Sequence, residues 1–467
     1  MDRHGAPRAP AFRFMRIAPA APDHQLEPVV LRNVAELMVG GTPGAPDSHV
    51  PAGYTYFGQF VAHDLSFDMT RFGLATDVTP ERMKQHNSPA LDLDSLYGGG
   101  PRGKSLAFYD GAQFRTGTTT PAGGVGPLPG HDLPRDRRKA VIADPRNDDN
   151  LAIAQTHAAF MRAHNRVVAE GADFHEARKL ITLHFQWLVW HDHLPRVCSA
   201  RMLDTVLAQG RTLVEPGADP RTPPRMPVEF STAAFRLGHS MVRSIYPWNS
   251  HHEPGLNLAD LFALAGRAGD LQGHDTLPST AVADFRRLFD MHDAGGTTHP
   301  ALMRARPIDI YITSKLGDLE PAVFDATAAA ADERNLAYRN LLRARMVSLA
   351  TGQDLIEPAR ARGLSASAIG GDGDGMEAAL GPRGLEHTPL WIYILREAES
   401  NGGRLRGVGA RIVAETIHRA IEGSRISLFR DHPGWTPTLG AKGPDYTMAH
   451  LLLYAAGGVE AKLSPAG

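Results

Sequence analysis

Cysteine is almost absent. Cys198 is the only one in 467 residues, which excludes an intrachain disulfide and any cysteine cage for a metal. A basic excess is missing too. Lys+Arg 49 against Asp+Glu 51 leaves a formal charge of −2, so nothing drives counterion release from a nucleic acid, and no nucleic-acid partner is expected. Nowhere do apolar residues run together for the length of a membrane-spanning helix. The opening stretch, MDRHGAPRAPAFRFMRIAPAAP, meets prolines before it accumulates a signal-peptide core. These absences predict a cytoplasmic protein in a reducing compartment. Alternating strand-like runs are scarce and no βαβ pattern occurs.

What is present supports a large core: 42% apolar against 21% charged residues. Gly 47 and Pro 35 predict long, ordered, irregular connections, and His 22 is the compositional feature that stands out. Residues 1–50 are Pro-rich and read as an N-terminal arm, with one domain over 51–467. Helices are expected over 54–69, 150–170, 175–196, 232–243, 256–266, 280–292, 333–347, 389–398 and 409–422. The Gly-, Pro- and Thr-rich stretch 98–144 is too long for a neutral connection. The fold class is mainly α, with a core drawn from segments far apart in sequence.

Two segments carry candidate chemistry. In FGQFVAHDLSFD (57–68), Gln59 and His63 stand at i and i+4, on one helix face, and Asp64 is rotated by about 100° from His63. An imidazole facing a cavity and a carboxylate facing elsewhere fits this spacing, as does a core histidine beside a solvated aspartate. In SPALDLDSLYG (88–98), Asp92 and Asp94 alternate with Leu91 and Leu93, so an extended backbone puts both carboxylates on one side. With Ser88 and the Ala90 carbonyl they offer the oxygen donors that a hard cation takes, and equally those of an acidic turn. HDH (191–193) reads as a helix end near solvent rather than a zinc site, Trp187 and Trp190 as core, and GGDGDG (370–375) as a flexible loop.

The Gly58-Gln59-x-x-x-His63-Asp64 run, followed by Ser88-x-Ala90-x-Asp92-x-Asp94 and Tyr97-Gly98, resembles the animal-type haem peroxidase superfamily. The resemblance continues in order. ADPRNDDNLAIAQTHAAFMRAHNR (143–166) is similar to the block that supplies the distal arginine, here Arg146, and ends His164-Asn165-Arg166. STAAFRLGHSMV (231–242) is similar to the proximal segment, whose R-x-G-H pattern falls on Arg236, Gly238 and His239. LAYRNLLRARMVSL (336–349) resembles the segment that supplies Asn340, and 388–399 and 404–417 resemble C-terminal blocks of bacterial members.

The resemblance implies haem b held between a distal and a proximal helix. His239 is the implied iron ligand, Asn340 accepts its Nδ1–H, and Arg236 and Asp149 are further haem contacts. It implies His63, Arg146 and Gln59 as the distal catalytic set, and calcium bound by Asp64, Ser88, Ala90, Asp92 and Asp94. The implied activity is reduction of hydrogen peroxide through a ferryl state, with oxidation of a small organic or halide donor. Two positions that bond covalently to haem in some members are Ala62 and Asn150 here, and the remaining ester position is Asp149, so haem is expected to be mostly noncovalent. A fatty-acid dioxygenase of the same fold carries a tyrosine three residues before the proximal histidine, where this chain has Arg236. A non-catalytic haem-binding protein is the other alternative, and it would need only His239.

Overall fold

In the computed structural model the described residues are 12–41, 47–69, 77–319, 334–371, 373–441 and 443–467. The site is framed by a few of its helices: α1 (Pro28–Gly40), α2 (Gly53–Leu65), α3 (Leu151–Ala169), α4 (Phe174–Trp187), α5 (Leu336–Met346), α6 (Leu390–Glu399), α7 (Val408–Glu422) and α8 (Met448–Ala455). Helix α3 is central. Asn150 caps it by accepting from the Ile153 N–H, and 14 of its 19 residues are buried, with α2, α4 and α8 packed against it. Where α2, α3 and α4 meet, Phe60 stacks on Phe160 at 4.9 Å and Phe57 meets Phe185 edge-on at 6.0 Å. Each such ring contributes on the order of 2 kcal/mol by leaving water, which fixes α2 on the bundle.

Strand is minor. The five sheets among the described residues are all two-stranded. Three of them account for the Gly/Pro-rich stretch, which is a chain of short hairpins: Tyr109–Asp110 with Gln113–Phe114, Gly117–Thr118 with Pro129–Asp132, and Arg135–Asp136 with Lys139–Ala140. Strands this short have no readable alternation. What holds the region is the side chain of Arg135, which is buried and bonded to Asp132 and Asp148 at 2.8 Å each.

Several expectations change. The N-terminal arm holds α1, packed on α5 and within the same apolar core; residues 1–11 and 42–46 of the arm lie outside the described residues. The expected helix over 280–292 reduces to Phe285–Leu288 flanked by single turns. Residue 333 of the expected helix over 333–347, and residue 372 of GGDGDG, also lie outside the described residues. Asp374 in that loop is paired with the nearly buried Arg396.

The expected helix over 232–243 is a short α-helix, Val228–Thr232, then a break at Ala233 (φ −136°, ψ −68°) and a 3₁₀ segment, Ala234–His239. Three residues per turn eclipse i and i+3, which sets Arg236 and His239 on one side. HDH is not a solvent-side helix end. Leu188–His193 is π-helical; His191 is exposed, but Asp192 and His193 are buried.

Candidate active site

One cavity of about 380 Å³ runs between α2 and the 3₁₀ segment. Its lining brings together Gln59, Ala62, His63, Asp149 and Asn150 on one side and Arg236, Gly238, His239 and Asn340 on the other. Those positions are up to 281 residues apart by their numbers, so the pairing of the two histidines is a product of the fold. Phe230, Phe235, Leu258, Phe262, Leu316 and Leu336 make most of the remaining wall apolar. A Cβ on Gly238 would meet nothing within 4 Å, so the backbone faces open space beside His239.

On the distal side, burial first and the Arg146 charge second lower His63 to about 3, which makes it a neutral ring. Its Nδ1–H donates to Oδ1 of Asn147 at 2.8 Å, leaving Nε2 bare. Gln59 accepts from Nδ2 of Asn150 (3.1 Å). Asn147 went unread in the sequence because nothing distinguishes it from a loop asparagine until its partner is known.

Arg146 is not in the cavity wall. Nε and Nη2 bond Asp144, while Nη1 and Nη2 donate to the carbonyls of Ser66 (2.7 Å) and His63 (2.8 Å). Its plane lies 4.0 Å over the Phe67 ring. A guanidinium satisfied at this many points staples the Pro145–Asp148 turn to the end of α2. The carboxylate two residues upstream is what draws it there, and no spacing rule separates that arginine from one that faces a ligand.

On the proximal side, burial and Arg236 lower His239 to about 3. Asn340 and His239 are joined, with the polarity opposite to expectation. Nδ2 of Asn340 donates to Nδ1 of His239 at 2.9 Å, because Oδ1 already accepts from Nη1 of Arg236. Arg236 also donates to the Ser231 carbonyl and has no carboxylate partner among the described residues. A cavity-side guanidinium without a carboxylate, against open space at Gly238, suits a flat group carrying acidic substituents. Were such an anion to draw Arg236 off the amide, Asn340 could turn and accept Nδ1–H, freeing Nε2 of His239 to bind a metal.

His193 also lines the cavity, unforeseen in the sequence. A Cβ on Gly58 would stand 3.1 Å from its ring, so this glycine permits the approach. Its neighbour Asp192 accepts from the Tyr54 hydroxyl (2.7 Å), Arg196 and the Met448 N–H, tying the π-helical turn to α2 and α8.

The residues implied for calcium sit together outside the cavity, already satisfied. Asp64 is fully buried and accepts from the N–H groups of Leu93 (2.9 Å) and Ser95 (3.0 Å) and from Oγ of Ser95. Leu93 adopts φ +55°, a left-handed conformation that wraps the loop round this carboxylate. Burial and then Asp94 push Asp64 up to about 8. Asp92 accepts from the backbone N–H of Arg425 (2.8 Å) and from its Nε (3.2 Å); Asp94 pairs with Arg425 and, at 3.5 Å, with Arg178. Ser88 Oγ accepts from Ala90 N–H. Among the described residues, no group of three or more His, Cys, Asp or Glu side chains is placed to hold a metal ion. The donor set as arranged does not fit calcium, because arginine supplies the counter-charge.

The family model for animal haem peroxidase matches residues 68–277. The chain is 28% identical over 124 residues to a peroxidase-like protein of Margaritifera margaritifera, covering 24% of this chain and 16% of that protein. It is 25% identical over 227 residues to thyroid peroxidase of Mus musculus, 41% of this chain and 24% of the relative. The matches therefore span under a quarter of those proteins. Among solved structures, peroxidase A of Dictyostelium discoideum superposes with a TM-score of 0.61 at 18% identity, over 94% of this chain and 95% of that one. Fatty acid alpha-dioxygenase of Oryza sativa gives 0.62 at 13% identity, over 95% and 79%. Residues 68–277 thus match the animal haem peroxidase family model, and the chain has the fold of these haem peroxidase and dioxygenase structures, with two histidines facing one cavity at the positions of the resembling motifs.

Proposed function

We propose that the protein is a haem peroxidase that reduces hydrogen peroxide and oxidises a small organic or halide donor. The observation that carries this reading is the bare Nε2 of His63 facing the same cavity as His239. A haem holder has no use for a buried, neutral base opposite the ligand. His239 would hold the iron, Asn340 would orient its ring, and Arg236 would meet a haem carboxylate. Bound haem supplies the iron on which oxygen–oxygen cleavage and donor oxidation depend. The chain's part is proton handling. His63 takes the proton of the incoming peroxide at Nε2 and returns it to the departing oxygen, general base and then general acid. Arg146, tied to Asp144, leaves the cavity's distal polarity to His63 and Gln59. The apolar walls exclude water from the space in which that proton moves.

Covalent attachment has no support at three positions. Ala62 and Asn150 lack the reacting groups, and the Asp149 carboxyl, though in the wall, is bonded to Arg267. The reading gives calcium no part. Dialysis against a chelator is expected to leave the melting temperature unchanged, whereas Arg425→Ala should lower it by a few degrees by exposing Asp92 and Asp94 to each other. Metal analysis and thermal melts check both.

The activity is tested by offering haem-loaded protein peroxide with phenolic, iodide and bromide donors, and separately oxygen with a long-chain fatty acid. Peroxide-dependent donor oxidation is expected. Oxygen uptake with the fatty acid and none with peroxide would favour the dioxygenase alternative, against which Arg236, standing in place of a tyrosine, already argues.

A further inference from the structure

Behind His63 the hydrogen bonding continues away from the cavity. Asn147 accepts from Nδ1 of His63 at 2.8 Å, and its Nδ2 donates to Nδ1 of His157 at 2.9 Å. Asn147 is fully buried and His157 is 1% exposed, on the inner face of α3 and edge-on to Phe60 of α2 at 5.9 Å. The turn that carries Asn147 is held to α2 by Arg146, through the carbonyls of His63 and Ser66. Arg146 thus fixes where the amide stands relative to the His63 ring. That gives the arginine a role its place outside the cavity would not suggest.

The amide has one accepting end and one donating end, and each neutral imidazole has one nitrogen of each kind. Facing two Nδ1 atoms, Asn147 allows only one of the two histidines to carry its proton there. With Oδ1 toward His63, that ring keeps Nδ1–H and a bare Nε2, while His157 accepts at Nδ1 and carries its proton on Nε2. With the amide turned over, both tautomers reverse, and His63 presents N–H where a base is needed. The two rings are therefore coupled through one side chain.

We propose that Asn147, backed by His157, is the positioning residue that holds His63 in the tautomer with a bare Nε2 toward the cavity. The consequence for peroxide rests on the peroxidase reading; the tautomer coupling itself does not. Replacing Asn147 removes the acceptor, so the His63 ring drifts toward the Nε2–H form that free imidazole favours. Replacing His157 removes the acceptor for the amide N–H, and the amide loses its reason to keep one orientation.

The test is long-range proton–nitrogen correlation on haem-free protein labelled at histidine nitrogens, with His63 and His157 assigned by the loss of their signals in His63→Gln and His157→Phe. Wild type should show Nδ1 protonated in His63 and Nε2 protonated in His157. In Asn147→Leu and His157→Phe, His63 should become mixed. In Asn147→Asp the acceptor is restored, His63 should keep Nδ1–H, and His157 should switch to Nδ1–H, a reversal that a merely structural role would not produce. In haem-loaded protein the reaction with peroxide should fall tenfold or more in Asn147→Leu and stay within about threefold in Asn147→Asp, at similar haem content. Wild-type His63 protonated on Nε2, or a His63 tautomer unmoved in His157→Phe, would overturn the proposal. Haem-loaded wild type that is inert to peroxide would count against the peroxidase reading instead, and the haem-free spectra would still decide the coupling.

Discussion

His239→Ala is expected to abolish stable haem incorporation while the protein stays folded. His239 is the one imidazole of the Ala234–His239 segment, held by Asn340 and beside the open space at Gly238. Removing it leaves the macrocycle only apolar contact and Arg236. Titrating haem-free protein with hemin should give a 1:1 Soret band for wild type and no saturable band for the variant, with circular dichroism unchanged. Addition of imidazole to His239→Gly should restore the band, because the vacated space would admit the free ligand. As Ala62 and Asn150 lack the reacting groups and the Asp149 carboxyl is bonded to Arg267, acidified solvent should extract the haem as unmodified protoporphyrin. Haem left on the polypeptide after peroxide treatment would revive an ester at Asp149.

His63→Ala should have the opposite pattern. Haem should bind as in wild type, while the rate of reaction with peroxide falls about 10²- to 10⁴-fold, the range ordinarily lost with a general acid–base group. The pH dependence follows from the environment. Burial holds His63 near 3, so the base is already unprotonated throughout the neutral range. Protonation, and loss of the rate, should set in only as pH falls toward that value. Stopped-flow rates in wild type should be flat from about pH 8 to pH 5, with no step near 6.5. Such a step would show an imidazole exposed to bulk water rather than to a closed cavity.

The helical class and most of the cavity were legible in the sequence because the residues that face a ligand sit at fixed spacings on regular segments. Gln59 and His63 share a helix face, and Arg236 and His239 stand three apart. What stayed hidden depends on partners distant in the chain. Nothing near SPALDLDSLYG announces that Arg425, more than three hundred residues on, donates to both Asp92 and Asp94. Arg146 was identified by pattern, but its direction is set by Asp144 and two carbonyls at the end of α2. The motif over 336–349 offers Asn340 as a partner of His239, while the polarity of their hydrogen bond follows from Arg236 at the other end of the amide. HDH reads as a helix end because Pro195 follows, whereas the chain widens into a π-turn that buries Asp192 and His193.

The central claim is that one cavity sets an iron ligand against a proton-handling base, and the Soret spectrum tests it directly. Haem-loaded wild type, His63→Ala and His239→Ala are each mixed with a slight excess of hydrogen peroxide and followed in the stopped flow. The account predicts a rapid Soret shift in wild type that a phenolic donor reverses, the same starting spectrum but a slow shift in His63→Ala, and no haem band to follow in His239→Ala. Equal haem loading and equal rates in all three would contradict it.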